Sequence, residues 1–547
     1  MSSEDGPRAN DFGEELDGSA QISADARRHD DNNIRIAAVA VVVLLALGTV
    51  LFREQASTII DVARTFVTEY FSWYFVVFSV LALAFVLVIA LSPSHGSIRL
   101  GGPQARTEYG RFAWYSMLFA SGQGIGLIFW SVAEPVLLKT DDPLADSNPG
   151  DVDSASLSWG YFHWGLTAWA IYCVVALCIA YSTYNCAQQP TFRGACEDLF
   201  PARHRRHTGL AIELFAILAT ILGLSTSFGF ASLQLSSGLS ALLGIEVSTS
   251  GKVAVITTMG AVTAISVYFG INRGMRLISE LNSVLSVVLV FLTLVFGPTM
   301  YILHILPQSV GEFVDRFVAM SVYSEPEVLG SGITTWSESW NGQWTTFIWC
   351  WCIAFSPFVA SFIASISKGR TLREFVLGVL GIPTIIVMIW IGVIGGAALH
   401  YDTESNGAVG DSLNADVSAG LFTALGFVPL VGGLLILVST VLVGTYFVTS
   451  LDSGVHALSG FVSMGAKASP RFRVVLAILI SALAIALLTL GGGKALTTIQ
   501  TGTIVGALPF SVVILLMMVN IVRRLRRRQK HAGTSPPRDI CARRAQS

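Results

Sequence analysis

The sequence predicts an all-α integral membrane protein that crosses the bilayer twelve times, and three observations carry that prediction. Charged residues make up 13% of the 547 and hydrophobic ones 53%, with a mean hydropathy of +0.64; soluble chains carry about a quarter charged residues. Twelve apolar runs are long enough to cross. With both termini in the cytoplasm and the loops assigned alternately, 28 of the 34 Lys and Arg residues fall on the cytoplasmic side. Arg53, Arg64, Lys139, Lys252, Arg316 and Lys494 are left outside. That asymmetry obeys the positive-inside rule, and an error of one span would destroy it.

Taken in order, residues 1–33 form an acidic cytoplasmic tail, with nine acids against three arginines. Runs 34–52 and 71–91 supply two spans within residues 34–111. The third run, 112–138, reads Ala120-Ser121-Gly122-Gln123-Gly124-Ile125-Gly126 at its middle and closes near Glu134-Pro135. Glycine costs about 1 kcal/mol against alanine in a helix. Three at alternate positions therefore fit a stretch that leaves the helix to line a cavity, or a close-packed Gly-x3-Gly face. The fourth run, 155–183, carries Tyr161, Trp164, Trp169 and Tyr172, within about 140° of arc if the helix is continuous. His163 is its one candidate base, and no acidic or nucleophilic partner is evident in the sequence. Runs 209–233, 253–270 and 280–305 follow, the first containing Ser225-Thr226-Ser227.

The outer loop 306–342 places Val310, Phe313, Val314, Phe317 and Val318 at helical spacing among charges, which predicts an amphipathic helix along the outer surface. In the eighth run, 343–366, Trp344, Ile348, Trp351, Phe355 and Phe358 share one face at about 100° per residue. Cys352 lies beside them and Trp349 points elsewhere. Indoles in membrane proteins normally collect at the water interfaces. A stripe of them at bilayer depth suits an organic cation held by π faces without an opposing carboxylate, and equally a packing face of large residues. Run 375–400 follows, and run 419–448 leads into Tyr446-Phe-Val-Thr449-Ser450-Leu-Asp452-Ser453-Gly454. Those hydroxyls fit a hard-oxygen site for a small cation, or simply bond to the preceding turn.

Runs 472–492 and 499–522 end in the tail 523–547, with nine bases against Asp539 alone. A basic run directly after a span fixes topology and binds anionic lipid headgroups. The loops assigned to the outside are acidic, holding Asp141, Asp142, Asp146, Asp151 and Asp153 after the third run and Asp402, Glu404, Asp411 and Asp416 after the ninth. None of the seven cysteines falls in an outer loop, so no structural disulfide is expected. No zinc spacing is present.

In the order Gly122-Gln123-Gly124-Ile125-Gly126, Phe162-His163-Trp164…Trp169-Ala-Ile-Tyr172, Trp349-to-Phe358, Lys368-Gly369-Arg370-Thr371-Leu-Arg373-Glu374-Phe375 and Thr449-Ser450-x-Asp452-Ser453, the chain resembles the betaine/carnitine/choline transporters over about residues 34–525. The resemblance implies a LeuT-like core of two inverted five-helix repeats, residues 112–305 and 343–522, preceded by two extra helices. It also implies a homotrimer in which the outer helix takes part in subunit contacts. By position, Trp164, Trp169 and Tyr172 form one wall of a substrate box, with Trp351, Cys352 and Phe355 opposite and Trp349 on the outward substrate path. The glycines Gly122, Gly124 and Gly126 and the amide of Gln123 complete the expected substrate site.

Two departures stand out. The resemblance expects tryptophan where this chain has Cys352 and Phe355, which weakens a cation cage and enlarges it. Gln123 replaces an apolar residue and adds an amide for a substrate carboxylate. For coupling, the resemblance implies a sodium site from Ala120 and Gln123 carbonyls with Tyr446, Thr449 and Ser450, and Ser225, Thr226 and Ser227 form a second candidate site. Gly126 and Asn282 stand where proton-linked or sodium-independent members carry aspartate or arginine, so sodium is the expected coupling ion and no cofactor is implied. The expected function is sodium-coupled uptake of a betaine-like zwitterion; proton-coupled or exchange transport of choline, carnitine or another zwitterion is the alternative. An enzyme would need a catalytic pair within the bilayer, and a channel a charged ring or symmetric lining; the sequence offers neither, and nothing in it resembles a proton relay.

Overall fold

A computed structural model describes residues 36–530 except 38, 42, 50, 123, 146–150, 271, 326–338 and 464–467. The described residues form helices α1 (Arg53–Leu91), α2 (Arg111–Gly122), α3 (Ile125–Leu138), α4 (Val152–Trp164), α5 (Leu166–Cys186), α6 (Arg205–Leu243) and α7 (Thr249–Phe269). They continue as α8 (Asn272–Phe296), α9 (Thr299–Val322), α10 (Thr345–Ser365), α11 (Leu372–Glu404), α12 (Gly432–Val462), α13 (Pro470–Gly491) and α14 (Ala495–Lys530), with short helices between some of them. Among the described residues ten helical stretches are long and apolar enough to cross a membrane. Shorter apolar helices lie at Val39–Thr49, where the first span is expected, and at α3. The protein is thus an all-α, multi-pass membrane protein, but helix length alone does not establish the count of twelve.

Burial separates a centre from a rim. Helices α6 and α10 pack on each other and on α5, α12 and α14 between them, with Phe228, Phe230, Trp349 and Ile353 fully enclosed. Helices α7 and α8 instead expose Val262, Ile265, Val284, Val287 and Phe291. An apolar outer face of this kind is stable in hydrocarbon, and backbone groups there are satisfied within each helix. The run KGRTLREF is explained locally. Thr371 caps α11 by accepting from the Glu374 backbone N–H at 3.1 Å, the arrangement expected of T-x-x-E. Arg370 reaches Glu374 at 2.6 Å and the Tyr109 carbonyl at 2.7 Å. Its guanidinium sits 4.8 Å over Trp114, while backbone pairing of Arg99 with Thr371 joins the two loops.

Several expectations need correction. The third span is broken between Gly122 and Ile125, which favours the unwound reading over close packing. The fourth is broken at Gly165, so the single arc assumed for Trp164, Trp169 and Tyr172 does not exist. A Cβ on Gly165 would lie 2.4 Å from the Tyr161 carbonyl oxygen and 3.2 Å from Thr384, so the break depends on glycine. The tenth span continues to Val462 rather than ending at 448, which puts Thr449 and Ser450 inside a helix. The outer helix starts at Thr299; Phe313 packs inward while Val314 and Val318 are exposed. Arg316, expected at the surface, is buried against Asp142 at 2.7 Å, and the Trp159 indole donates to the same carboxylate at 2.8 Å. Burial, then the Glu325 and Asp142 carboxylates, push the neighbouring Asp141 carboxyl above its ordinary range. Arg524 of the basic run is committed to protein, pairing with Asp198 at 2.7 Å and donating to Ser182 at 2.6 Å. Cys186 is disulfide-bonded, contrary to expectation; Cys173, Cys178, Cys196, Cys350 and Cys352 are free.

Candidate functional site

The two helix breaks open onto one cavity. It has a volume of about 330 Å³, at the lower end of the usual range of about 300–1,000 Å³ for small-molecule sites. One side is aromatic: Trp164 at the end of α4, Trp169 and Tyr172 on α5, and Trp351, Phe355 and Phe358 on α10. Trp164 and Trp351 stand edge to face, centroids 5.5 Å apart at 87°, and Trp169 and Tyr172 do the same at 5.5 Å and 85°. Phe230 backs Trp351 at 4.8 Å. Cys352 lines the cavity beside these rings.

Gly126 is what lets the indoles close in. A Cβ there would lie 3.0 Å from Trp164 Cζ3 and 3.0 Å from Trp351 Cη2, nearer than an ordinary carbon–carbon contact of about 3.5–4.0 Å. Gly124, extended at φ −140° and ψ 170°, caps α3 beside it and also lines the cavity. The lining also includes the polar, uncharged Ser227, Asn282, Ser283, Tyr446, Thr449 and Ser450. The lining runs from mid-span to Met117, Phe362 and Ser453. At the other end Trp130 packs on Trp344 at 5.7 Å and on Phe347 at 5.9 Å, outside the lining.

Thr449 Oγ1 accepts from Asn282 Nδ2 at 3.2 Å and faces the carbonyls of Thr445 and Tyr446 at 3.0 and 3.2 Å. The hydroxyl therefore bonds to its own preceding turn, the simpler of the two readings open from the sequence. Tyr446 pairs with Ser286 at 3.2 Å. Asn282 Oδ1 is buried and has no hydrogen-bond partner among the described residues. These are neutral oxygen atoms, hard donors unlike the thiolate and imidazole ligands of zinc or copper. Among the described residues no group of three or more His, Cys, Asp or Glu is placed to hold a metal.

Of the expected substrate residues, the structure brings Trp164, Trp169, Tyr172, Trp351, Cys352, Phe355, Gly124 and Gly126 to one cavity. Trp349 is not among them: it is fully buried and packs on Phe162 at 5.4 Å and His163 at 5.7 Å. Gly122 ends α2, Ala120 lies within α2, and Gln123 is outside the described residues. Ser225 and Thr226 turn to the carbonyls of Ile480 and Ile499 at 3.4 and 2.8 Å, leaving Ser227 alone of that trio on the cavity. The sequence reading also missed a network. His163 does have an acidic partner, Glu134 Oε1, 2.5 Å from Nδ1. The signal was an ionisable residue inside an apolar span, which marks function by default.

The sequence profile of the BCCT family, betaine/carnitine/choline transporters, matches residues 33–530. Glycine betaine transporter 1 of Vibrio parahaemolyticus is 35% identical over 89% of this chain and 92% of its own length. The high-affinity choline transport protein of Escherichia coli K12 is 33% identical over 91% and 73%, and the ectoine/hydroxyectoine transporter of Virgibacillus pantothenticus 31% over 91% and 97%. Among solved structures, a manganese transporter of Eremococcus coleocola aligns with a TM-score of 0.38 at 13% identity, covering 83% of this chain and 94% of that one; so weak a likeness carries no argument. The breadth of the family match and the identities above 30% leave one conclusion: the chain belongs to the betaine/carnitine/choline family of membrane transporters, and is a transporter rather than an enzyme.

Proposed function

We propose that this chain takes up glycine betaine or a related quaternary-ammonium zwitterion, coupled to sodium, by alternating access around the cavity. The observation that carries the proposal is one cavity lined both by aromatic rings and by neutral polar side chains. Perpendicular indoles offer π faces to an onium group, an electrostatic attraction that needs no opposing carboxylate. The polar lining residues and the unwound Gly124 offer side-chain and backbone groups to a carboxylate and a cation. Thr449, Ser450, Tyr446 and Asn282 would hold the sodium ion. The relatives are named for betaine, choline and ectoine, so the size of the onium group is the open variable, and Cys352 with Phe355 leaves room for a larger one.

The proposal includes the LeuT-like pair of inverted repeats over residues 112–305 and 343–522, both termini in the cytoplasm, and a homotrimer joined partly through α9. With that orientation the cavity leads toward the cytoplasm and the Trp130–Trp344 contact closes the outside. Proton-coupled or exchange transport of choline or carnitine is the second reading, favoured by the bonding of Thr449 to its own turn. Competition of unlabelled betaine, choline, carnitine and ectoine against labelled betaine uptake, in sodium and in potassium buffer, tests the substrate class. Inhibition by none of the onium compounds would refute it.

A further inference from the structure

Glu134 and His163 are both fully buried, one on α3 and one on α4, in a bundle interior where an unpaired charge costs several kcal/mol. Both groups are fully used. Glu134 Oε1 lies 2.5 Å from His163 Nδ1, and His163 Nε2 lies 3.0 Å from Thr345 Oγ1. The imidazole is walled by Trp159, Trp340 and Trp349 at 5.5, 6.1 and 5.7 Å. The second carboxylate oxygen, Oε2, accepts from Trp164 Nε1 at 2.7 Å. Neither Glu134 nor His163 lines the cavity; Trp164 does. A buried acid therefore stands one residue away from the cavity, joined to it through an indole.

We infer that Glu134, oriented by His163, is a positioning residue that fixes and polarises the Trp164 indole against the cationic end of the substrate. Hydrogen bonds to an ionised acceptor are short and strong, and in a low-dielectric interior they polarise the groups they join. An N–H drawn toward a carboxylate leaves more negative charge on the ring. The attraction of a π face for an onium ion is electrostatic, so the box gains cation affinity without a carboxylate in contact with the cation. The same bond fixes the rotation of Trp164, whose ring edge must stay clear of Gly126 and perpendicular to Trp351. A purely structural strap between α3 and α4 would serve charged and uncharged ligands alike; a polarising one would not.

This inference rests on the onium reading of the cavity, and one comparison separates the two. Glycine betaine and 3,3-dimethylbutanoate are isosteric, a quaternary nitrogen in one replacing a quaternary carbon in the other, with the same carboxylate. Their inhibition constants against labelled betaine uptake are measured for the wild type and for Glu134→Gln, which keeps size and an acceptor oxygen and removes the charge. The expected result is a wild-type preference for betaine that falls about three- to tenfold in E134Q, through loss of betaine affinity with the isostere little changed. In a Trp164→Phe background, which has no N–H to polarise, E134Q should leave the ratio unchanged. If E134Q does not reach the membrane, E134Q/H163N supplies a neutral hydrogen-bonded pair for the same comparison. A wild-type preference that survives the charge removal overturns this inference alone. Equal wild-type affinity for the two compounds overturns the onium reading, and the inference with it.

Discussion

Gly126→Ala is the perturbation whose size can be worked most directly from the structure. The added Cβ would meet Trp164 Cζ3 and Trp351 Cη2 at 3.0 Å each, so two rings must give by a few tenths of an ångström. Neither is free to do so: Trp164 is tied to Glu134 at 2.7 Å, and Trp351 is backed by Phe230 at 4.8 Å. Overpacking of this kind costs about 1–3 kcal/mol. The cost falls on the geometry of the box rather than on a helix ladder, because α3 is already capped at Gly124. At about 1.4 kcal/mol per tenfold, KM for betaine should rise roughly 5- to 150-fold, with the amount of carrier in the membrane close to wild type. Labelled betaine uptake into proteoliposomes, normalised to reconstituted protein, measures it. A KM within twofold of wild type would refute the claim that Gly126 sets the separation of the two indoles at the binding site.

Thr449→Val together with Ser450→Ala should raise the sodium concentration for half-maximal uptake at least tenfold (about 1.4 kcal/mol), read from sodium titrations at fixed betaine. Arg316→Ala leaves Asp142 as a buried carboxylate with only neutral donors, the Trp159 indole and the Leu144 backbone N–H, so it should destabilise the detergent-solubilised protein by about 3–5 kcal/mol. Asp142→Asn/Arg316→Met should recover much of that, seen as a partial return of Tm. Arg524→Ala breaks the contacts to Asp198 and Ser182 and should lower Tm, whereas Arg526→Ala, at an exposed position, should leave Tm unchanged and only weaken the effect of anionic lipid on uptake. Trp349→Phe should alter Tm more than KM, because Trp349 is fully buried against Phe162 and His163.

Much of the cavity was legible because its residues break ordinary composition rules. Glycines at alternate positions weaken a helix, and the chain leaves it between Gly122 and Ile125; indoles at Trp164 and Trp351, away from the water interfaces, marked either π faces for a cation or a packing face of large residues. Helical periodicity placed Trp351, Phe355 and Phe358 together and Trp349 apart. It failed at Gly165, since an arc computed on a continuous helix cannot foresee a break dictated by the Tyr161 carbonyl and Thr384. It failed again at Val462, because hydropathy falls across Thr449–Gly454 although the helix continues. Partners distant in sequence were the least visible. Glu134 and His163 are 29 residues apart, Asp142 and Arg316 174, and Asp198 and Arg524 326. Only packing brings such charges together, and pattern along a chain does not encode which loop meets which helix.

The central claim is that an aromatic box and a neutral oxygen site in one cavity couple betaine-like substrates to sodium. Uptake of labelled glycine betaine into proteoliposomes under an inward sodium gradient, against a matched proton gradient without sodium, tests it most directly. Accumulation with sodium alone, abolished when the gradient is collapsed, is the predicted result. Accumulation driven by protons in the absence of sodium, or no betaine accumulation under either gradient, would contradict it.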